Sequence, residues 1–339
     1  MLTINPPMLD DVLAARERIA DLALRTPLIP LSIENAPAPI YLKLENLQPI
    51  GSFKLRGAAN AMMAAGSGAL TRGVLTASAG NMAQGVAWTA RRLGVPCTVL
   101  VPDRAPEIKL AAIERLGARV VKLPFEEWWQ TLVTHRVPRD LGRFIHPVCD
   151  RAVIAGNGTI GLEILEDLPD VETIVVPYGG GGLSCGIGTA VKALRPQVKL
   201  LACEVETATP LTTSLAAGMP AQTAHVPSFV DGIGAPSLLE EMWPMVRRLI
   251  DGAVVVSLAE VAAAIRLLVE RAHVVAEGAG AASVAAALAG RAGTGPIVCV
   301  VSGGNLDREK LVAILAGEVP GVSTHRDGAP VAAATKTNA

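Results

Sequence analysis

Several features that usually type a sequence are missing from this chain. The five cysteines, Cys97, Cys149, Cys185, Cys203 and Cys299, form no C-x-x-C pair and leave an odd count. They argue against a disulfide framework and read as reduced, buried small hydrophobes of a cytoplasmic protein. Lysine and arginine number 30 against 31 acidic residues, a formal charge of −1, and no long basic block occurs. The electrostatic footprint of a nucleic-acid binder is therefore absent. Charged or glycine positions interrupt every long apolar stretch, so no membrane span is expected. Met1 to Asp10 has prolines but no basic region followed by an apolar one, and no secretory signal is expected. His135, His146, His225 and His273 show no metal-ligand spacing and read as structural or surface residues, so no metal is expected. Aromatic residues make up only 3% of 339 positions. Small molecules remain as the expected partners.

Two segments stand out. In Gly51-Ser52-Phe53-Lys54-Leu55-Arg56-Gly57-Ala58 a lysine is fixed between apolar neighbours where a helix begins. Desolvation disfavours an ammonium, so such a lysine can react as a free amine with a carbonyl, although most lysines of this kind merely carry their charge to the surface. Far downstream, Gly179, Gly180, Gly181 and Gly182 fill the turn between a strand-like run, Thr173 to Val176, and a helical one, Leu183 to Leu194. The N–H groups of such a turn converge on an anion at the positive end of the helix. The turn lacks the Lys-Ser/Thr ending of a Walker A loop and has no G-x-G-x-x-G pattern. A phosphate that belongs to neither a nucleoside triphosphate nor a dinucleotide is expected there.

Strands and helices alternate along the chain, which indicates α/β layers on mainly parallel sheets. Val74 to Ala77, Thr98 to Val101 and Arg119 to Lys122 read as strands of one lobe, with helices at Met82 to Leu93 and Pro106 to Leu116. Thr173 to Val176, Lys199 to Cys203, Val254 to Val256 and Ile297 to Val301 read as strands of the other, with helices at Leu258 to Arg271, Ala281 to Leu288 and Leu306 to Leu315. No repeat is visible. At this length, with half its residues apolar, the chain can bury two cores, with a site between the lobes.

Lys43-Leu44-Glu45-Asn46-Leu47-Gln48, Ser52-Phe53-Lys54-Leu55-Arg56-Gly57-Ala58, Ser78-Ala79-Gly80-Asn81, the tetraglycine and Ser302-Gly303-Gly304-Asn305 follow one another in this order. In this the chain resembles the serine/threonine dehydratases of the fold-type II pyridoxal phosphate enzymes, from about Thr26 to about Leu315. The resemblance implies a two-lobed, tryptophan synthase β-like fold. Its large pyridoxal phosphate-binding domain is expected at 1–40 with 145–322, its small domain at 41–144, and a disordered tail at 323–339. Sulfhydrylases of the same fold usually follow the lysine with Asp-Arg, whereas Leu55-Arg56-Gly57 stands here.

The same resemblance assigns roles. Lys54 is the Schiff-base lysine and then the general base. Phe53, Asn81, Gly179 to Gly182, Leu183, Gly232, Glu277 and Ser302 contact the cofactor, Ser302 facing the ring nitrogen and Asn81 the phenolic oxygen. Ser78 acts in catalysis, and Ser78, Ala79, Gly80, Asn81 and Met82 receive the substrate, whose carboxylate suits a helix N-terminus. Blander readings stand beside these: a helix cap for Ser302, with Asn305 equally placed for it, and a carboxylate at a helix N-terminus for Glu277. The chain departs from the pattern in three places. Met82 stands where the family usually has His, Ala79 where its racemases carry a second serine, and Pro210 where a divalent-cation site formed with Glu204 and the Ala208 carbonyl would need a carboxylate.

The implied activity is elimination of water from an L-β-hydroxy-α-amino acid, such as threonine, serine or phenylserine, to give a 2-oxo acid and ammonia. The enzyme is expected to be cytoplasmic and homodimeric. The alternatives are a racemase or β-replacement enzyme of this fold, or a non-catalytic protein that binds a phosphate ligand. Phe125, Trp128 and Trp129, three of the chain's ten aromatic residues, either pack the smaller lobe or line the space beyond the substrate β-carbon.

Overall fold

Unbroken aliphatic runs such as Ile297–Val301 and Thr173–Pro177 form strands buried on both faces, which is possible only where helices cover both sides of a parallel sheet. The computed structural model describes residues 4–137 and 141–321. The strands are β1 (Leu28–Pro30), β2 (Ile40–Leu44), β3 (Val74–Ala77), β4 (Cys97–Pro102), β5 (Arg119–Leu123), β6 (Arg143–Phe144), β7 (Thr173–Pro177), β8 (Lys199–Val205), β9 (Gly252–Val256) and β10 (Ile297–Val301). Six form one sheet in the order β1-β2-β10-β7-β8-β9 and four another, β5-β4-β3-β6. Every pairing is parallel except that of β1 with β2.

One sequence-based boundary needs correction. The expected small domain opens at residue 41, yet Tyr41 to Leu44 lie in the large sheet, paired in register with Val298 to Val301. Ile40, Leu42 and Leu44 are buried there beside Val175 and Cys299 in the large core, so the chain leaves that sheet only after Leu44. The smaller sheet runs from Val74 to Phe144. The expected tail lies outside the described residues.

The helix Lys54–Ala65 joins the lobes. It packs on the helix Arg151–Asp167, where a Cβ on Gly57 would meet Val153 O at 2.9 Å and Asn157 Oδ1 at 2.8 Å. Only glycine admits so close a contact between two helices. The first turn is tied down by charge. Buried Arg56 holds both oxygens of Glu45, at 2.8 Å, and both of Glu163, at 2.6 and 2.9 Å. Lys43 reaches Glu163 at 2.6 Å and the Thr26 carbonyl at 2.6 Å. Two residues before Arg56, this network fixes where Lys54 enters the cleft.

Candidate active site

Parallel α/β sheets bind ligands beyond the carboxyl ends of their strands. Ser78 follows β3, Gly179 closely follows β7 and Ser302 follows β10. These ends meet Lys54, the first residue of its helix, around a cleft of about 830 Å3. Phe53 and Lys54, the Ser78–Met82 turn, the Gly179–Leu183 turn, Gly232, Glu277 and Ser302 all line it. The fold thus gathers around one cleft every site residue expected from the sequence, across more than two hundred positions of chain.

Lys54 Nζ donates to the Pro147 carbonyl at 2.9 Å and stands 5.2 Å from the centre of the Phe53 ring. Burial brings this ammonium down to about 8, opposed by the charge of Glu277. Glu277 is 7% exposed. Burial, with Asp231 nearby, pushes it up to about 7, against the hydrogen bond it accepts from Asn81 Nδ2 at 2.8 Å. Asn81 Oδ1 in turn accepts from Asn305 Nδ2 at 2.8 Å, and the same nitrogen donates to the Ile50 carbonyl at 2.9 Å. Asn81 is thereby held with one face toward the cleft.

The tetraglycine turn requires its composition. Gly181 has φ +92°, and a Cβ on Gly180 would strike the Val148 side chain at 2.6 Å. The helix Gly182–Leu194 starts inside this turn, so its unpaired N–H groups and positive end point at the cleft. Tyr178 Oη and Ser184 Oγ, flanking the turn in sequence, are buried without a hydrogen-bond partner. A phosphate group fits such a cradle of donors closed to side chains.

Several participants escaped sequence reasoning. Asn305 is not a helix cap: the helix that follows it runs Arg308–Leu315 with Asp307 at its cap position, and Asn305 instead supports Asn81. Its place in the Ser302-Gly303-Gly304-Asn305 motif was the available signal. Pro147 and Val148 follow the two-residue strand β6 and carry no signal at all. Glu204 accepts from Leu211 N, Thr212 N and Thr212 Oγ1 at 2.7–2.8 Å, which commits its carboxylate to the start of the helix Pro210–Ala217. The aromatic cluster divides. Phe125 and Trp128 line the cleft, with ring centres 5.8 Å apart, whereas Trp129 lines a different cavity. All five cysteines are buried and free. Among the described residues no helix is long and apolar enough to cross a membrane.

This geometry sets a buried lysine and a glycine turn at a helix start around one cleft of a parallel α/β fold. The family described as pyridoxal-phosphate dependent enzyme matches residues 19–303, and the chain belongs to it. Its cofactor is pyridoxal phosphate, which the lysine, the glycine cradle and the polar residues of the cleft fit. Among characterised relatives, the chain is 42% identical to the L-threonine ammonia-lyase of Thermotoga maritima over 305 residues, 88% of this chain and 76% of that one. Among solved structures, the processed form of threonine deaminase isoform 2 from Solanum lycopersicum superposes with TM-score 0.83 at 34% identity, covering 94% of this chain and 97% of that one. Maize serine racemase superposes with TM-score 0.80 at 32% identity, covering 91% and 97%.

Proposed function

We propose that this pyridoxal phosphate-dependent lyase eliminates water from an L-β-hydroxy-α-amino acid, releasing a 2-oxo acid and ammonia. The observation that carries the reading is Lys54, an amine pushed toward neutrality, sharing one cleft with the helix start at Ser78–Met82 and the glycine cradle. When bound, pyridoxal phosphate supplies the aldehyde that holds the substrate amine and the ring that accepts electrons from its α-carbon.

The chain's own residues divide the remaining work. Lys54 Nζ would hold the cofactor's aldehyde and is placed to take the substrate's α-proton. N–H groups opening the helix Asn81–Leu93, with the Ser78 hydroxyl, receive the substrate carboxylate. Gly179 to Gly182 would hold the phosphate, Leu183 and Gly232 would border the ring, and Asn81 would meet its phenolic oxygen. Ser302 would offer the ring nitrogen a hydroxyl, which does not enforce protonation there as a carboxylate does and so suits elimination. Glu277 positions Asn81.

Threonine and serine are substrates on this reading, as the names of the relatives suggest, and bulkier acids are accepted too. Phe125, Trp128 and Met82 line the cleft, an apolar wall suited to a β-aryl group. We expect 3-phenylserine to be favoured over threonine by on the order of 1–3 kcal/mol, about fivefold to 150-fold in kcat/KM. Comparing the two substrates in the wild type and in Phe125→Ala and Trp128→Ala variants tests this. A preference for threonine that neither variant alters would make the aromatic pair structural. Likeness to maize serine racemase keeps racemisation as a second reading. Ala79 disfavours it, and chiral analysis of unreacted L-serine separates the two. On the same reading the enzyme is a cytoplasmic homodimer, which sedimentation at equilibrium checks for assembly.

A further inference from the structure

Beside the cleft, behind Pro147 and Val148, the fold collects a set of metal-ligand side chains that no spacing in the sequence reveals. His135 Nε2 lies 2.8 Å from Glu241 Oε1. One ligand atom from each of His135, His146, Cys149 and Glu241 can be chosen so that all lie within 4.8 Å of one another. They come from three parts of the chain. His135 ends the helix Phe125–Thr134 with a left-handed backbone, φ +56°. His146 and Cys149 lie between β6 and the helix Arg151–Asp167. Glu241 belongs to the short turn Glu240–Met242 of the other lobe.

We propose that His135, His146, Cys149 and Glu241 bind one divalent transition-metal ion of the zinc class. Two imidazoles, a thiol and a carboxylate are the donor set that selects such an ion over magnesium or calcium. The support around His146 is already in place. Its Nε2 faces the Leu132 carbonyl at 3.0 Å, which can only accept, so that nitrogen carries the proton. The other nitrogen, Nδ1, is unprotonated and accepts from the Val148 and Cys149 N–H groups at 3.1 and 2.8 Å. A ligating histidine whose other nitrogen donates to a backbone carbonyl is the common outer-shell arrangement of metal sites. The metal replaces two N–H contacts at Nδ1 and the His135–Glu241 hydrogen bond, and binding expels the thiol proton of Cys149 to solvent.

An open cleft of about 460 Å3, lined by Trp129, Val133, Gln222, Ser237 and Glu241, gives entry. His135 is 26% exposed and Glu241 7% at the side chain. The ion joins the small lobe to the large one. It also braces the segment between its own ligands, where Pro147 accepts from Lys54 and Val148 packs on Gly180. This inference does not depend on which amino acid the enzyme turns over.

The test uses the holoenzyme, stripped with a chelator and titrated with Zn2+ and separately with Co2+. One equivalent of zinc should stay bound through gel filtration and raise the thermal midpoint, and cobalt should give the visible bands of a tetrahedral site. His135→Asn, compatible with the left-handed backbone, and Cys149→Ser should each weaken binding by more than the roughly 10–100-fold that loss of an outer-shell partner costs. Cys149→Ser should also remove the thiolate-to-cobalt absorption. Should Cys149→Ser fail to fold, His135→Asn alone carries the test, since that side chain is partly exposed. Failure of the wild type to take up an ion, or wild-type affinity in His135→Asn, overturns the proposal. So does loss of binding in Glu204→Gln, which would place the ion elsewhere.

Discussion

Lys54 and Glu277 share the cleft as opposite charges, and burial drives each toward its neutral form, Lys54 down to about 8 and Glu277 up to about 7. These shifts have opposite consequences for stability. The folded state of the cofactor-free protein holds the Glu277 proton from its ordinary 4.5 up to about 7. That contribution is fully present below 4.5 and is lost as pH rises through 7. For Lys54 the window lies between about 8 and 10.5; its contribution is present above 10.5 and lost as pH falls through 8. Denaturant unfolding of the cofactor-free protein at pH 4.5 and 7 should therefore show a loss from Glu277 of about 3 kcal/mol, as an order of magnitude, absent in Glu277→Gln. Equal slopes in the two proteins would show that Glu277 titrates normally. Lys43, although the chain's other lysine in a characteristic motif, is 0% exposed and engaged with Glu163 and Thr26; it is no rival for the cofactor.

Two elements place the reactive groups, and each can be loosened separately. The helix Lys54–Ala65 is anchored through Arg56. Replacing Arg56 by Met leaves Glu45 and Glu163 buried with Lys43 as their remaining cation, at a cost of about 3–5 kcal/mol. Urea unfolding of the holoenzyme measures it, and a change under about 1 kcal/mol, the range of an exposed pair, would mean the network is effectively solvated. The glycine turn is held by contact instead of charge. Gly180→Ala should weaken cofactor binding because its Cβ meets Val148 at 2.6 Å. Val148→Ala in the same chain should restore much of the affinity, read as the free pyridoxal phosphate needed to saturate the visible absorbance. Absence of any rescue would assign the loss to the turn's backbone conformation.

At the scale of the molecule, periodic apolar runs made the central strands and their helices legible, because burial on both sides imposes an unbroken aliphatic run. The edges were not legible. Nothing in Ile40–Leu44 tells which of two sheets will pair with it, and β6 at Arg143–Phe144 is too short to leave a pattern. The helix read as Leu258 to Arg271 is α-helical to Leu267 and continues as a wider π turn through Ala272. Four of the five short motifs border the cleft, at turns or helix starts whose residue types suit the expected chemistry, whereas Lys43–Gln48 lies outside it and supplies Lys43 and Glu45 to the network around Arg56. Asn305, Pro147 and the approach of His135 to His146 depend on chain segments far apart, and only the fold brings them together. The central claim is that the cleft built around Lys54 eliminates water from a β-hydroxy-α-amino acid. The most direct measurement follows ammonia and 2-oxo acid together after holoenzyme is mixed with L-threonine, L-serine or 3-phenylserine, beside Lys54→Ala. Equimolar release of both products by the wild type, and none by a folded Lys54→Ala, is the predicted result. No product from any of the three acids, or undiminished release by Lys54→Ala, would contradict it.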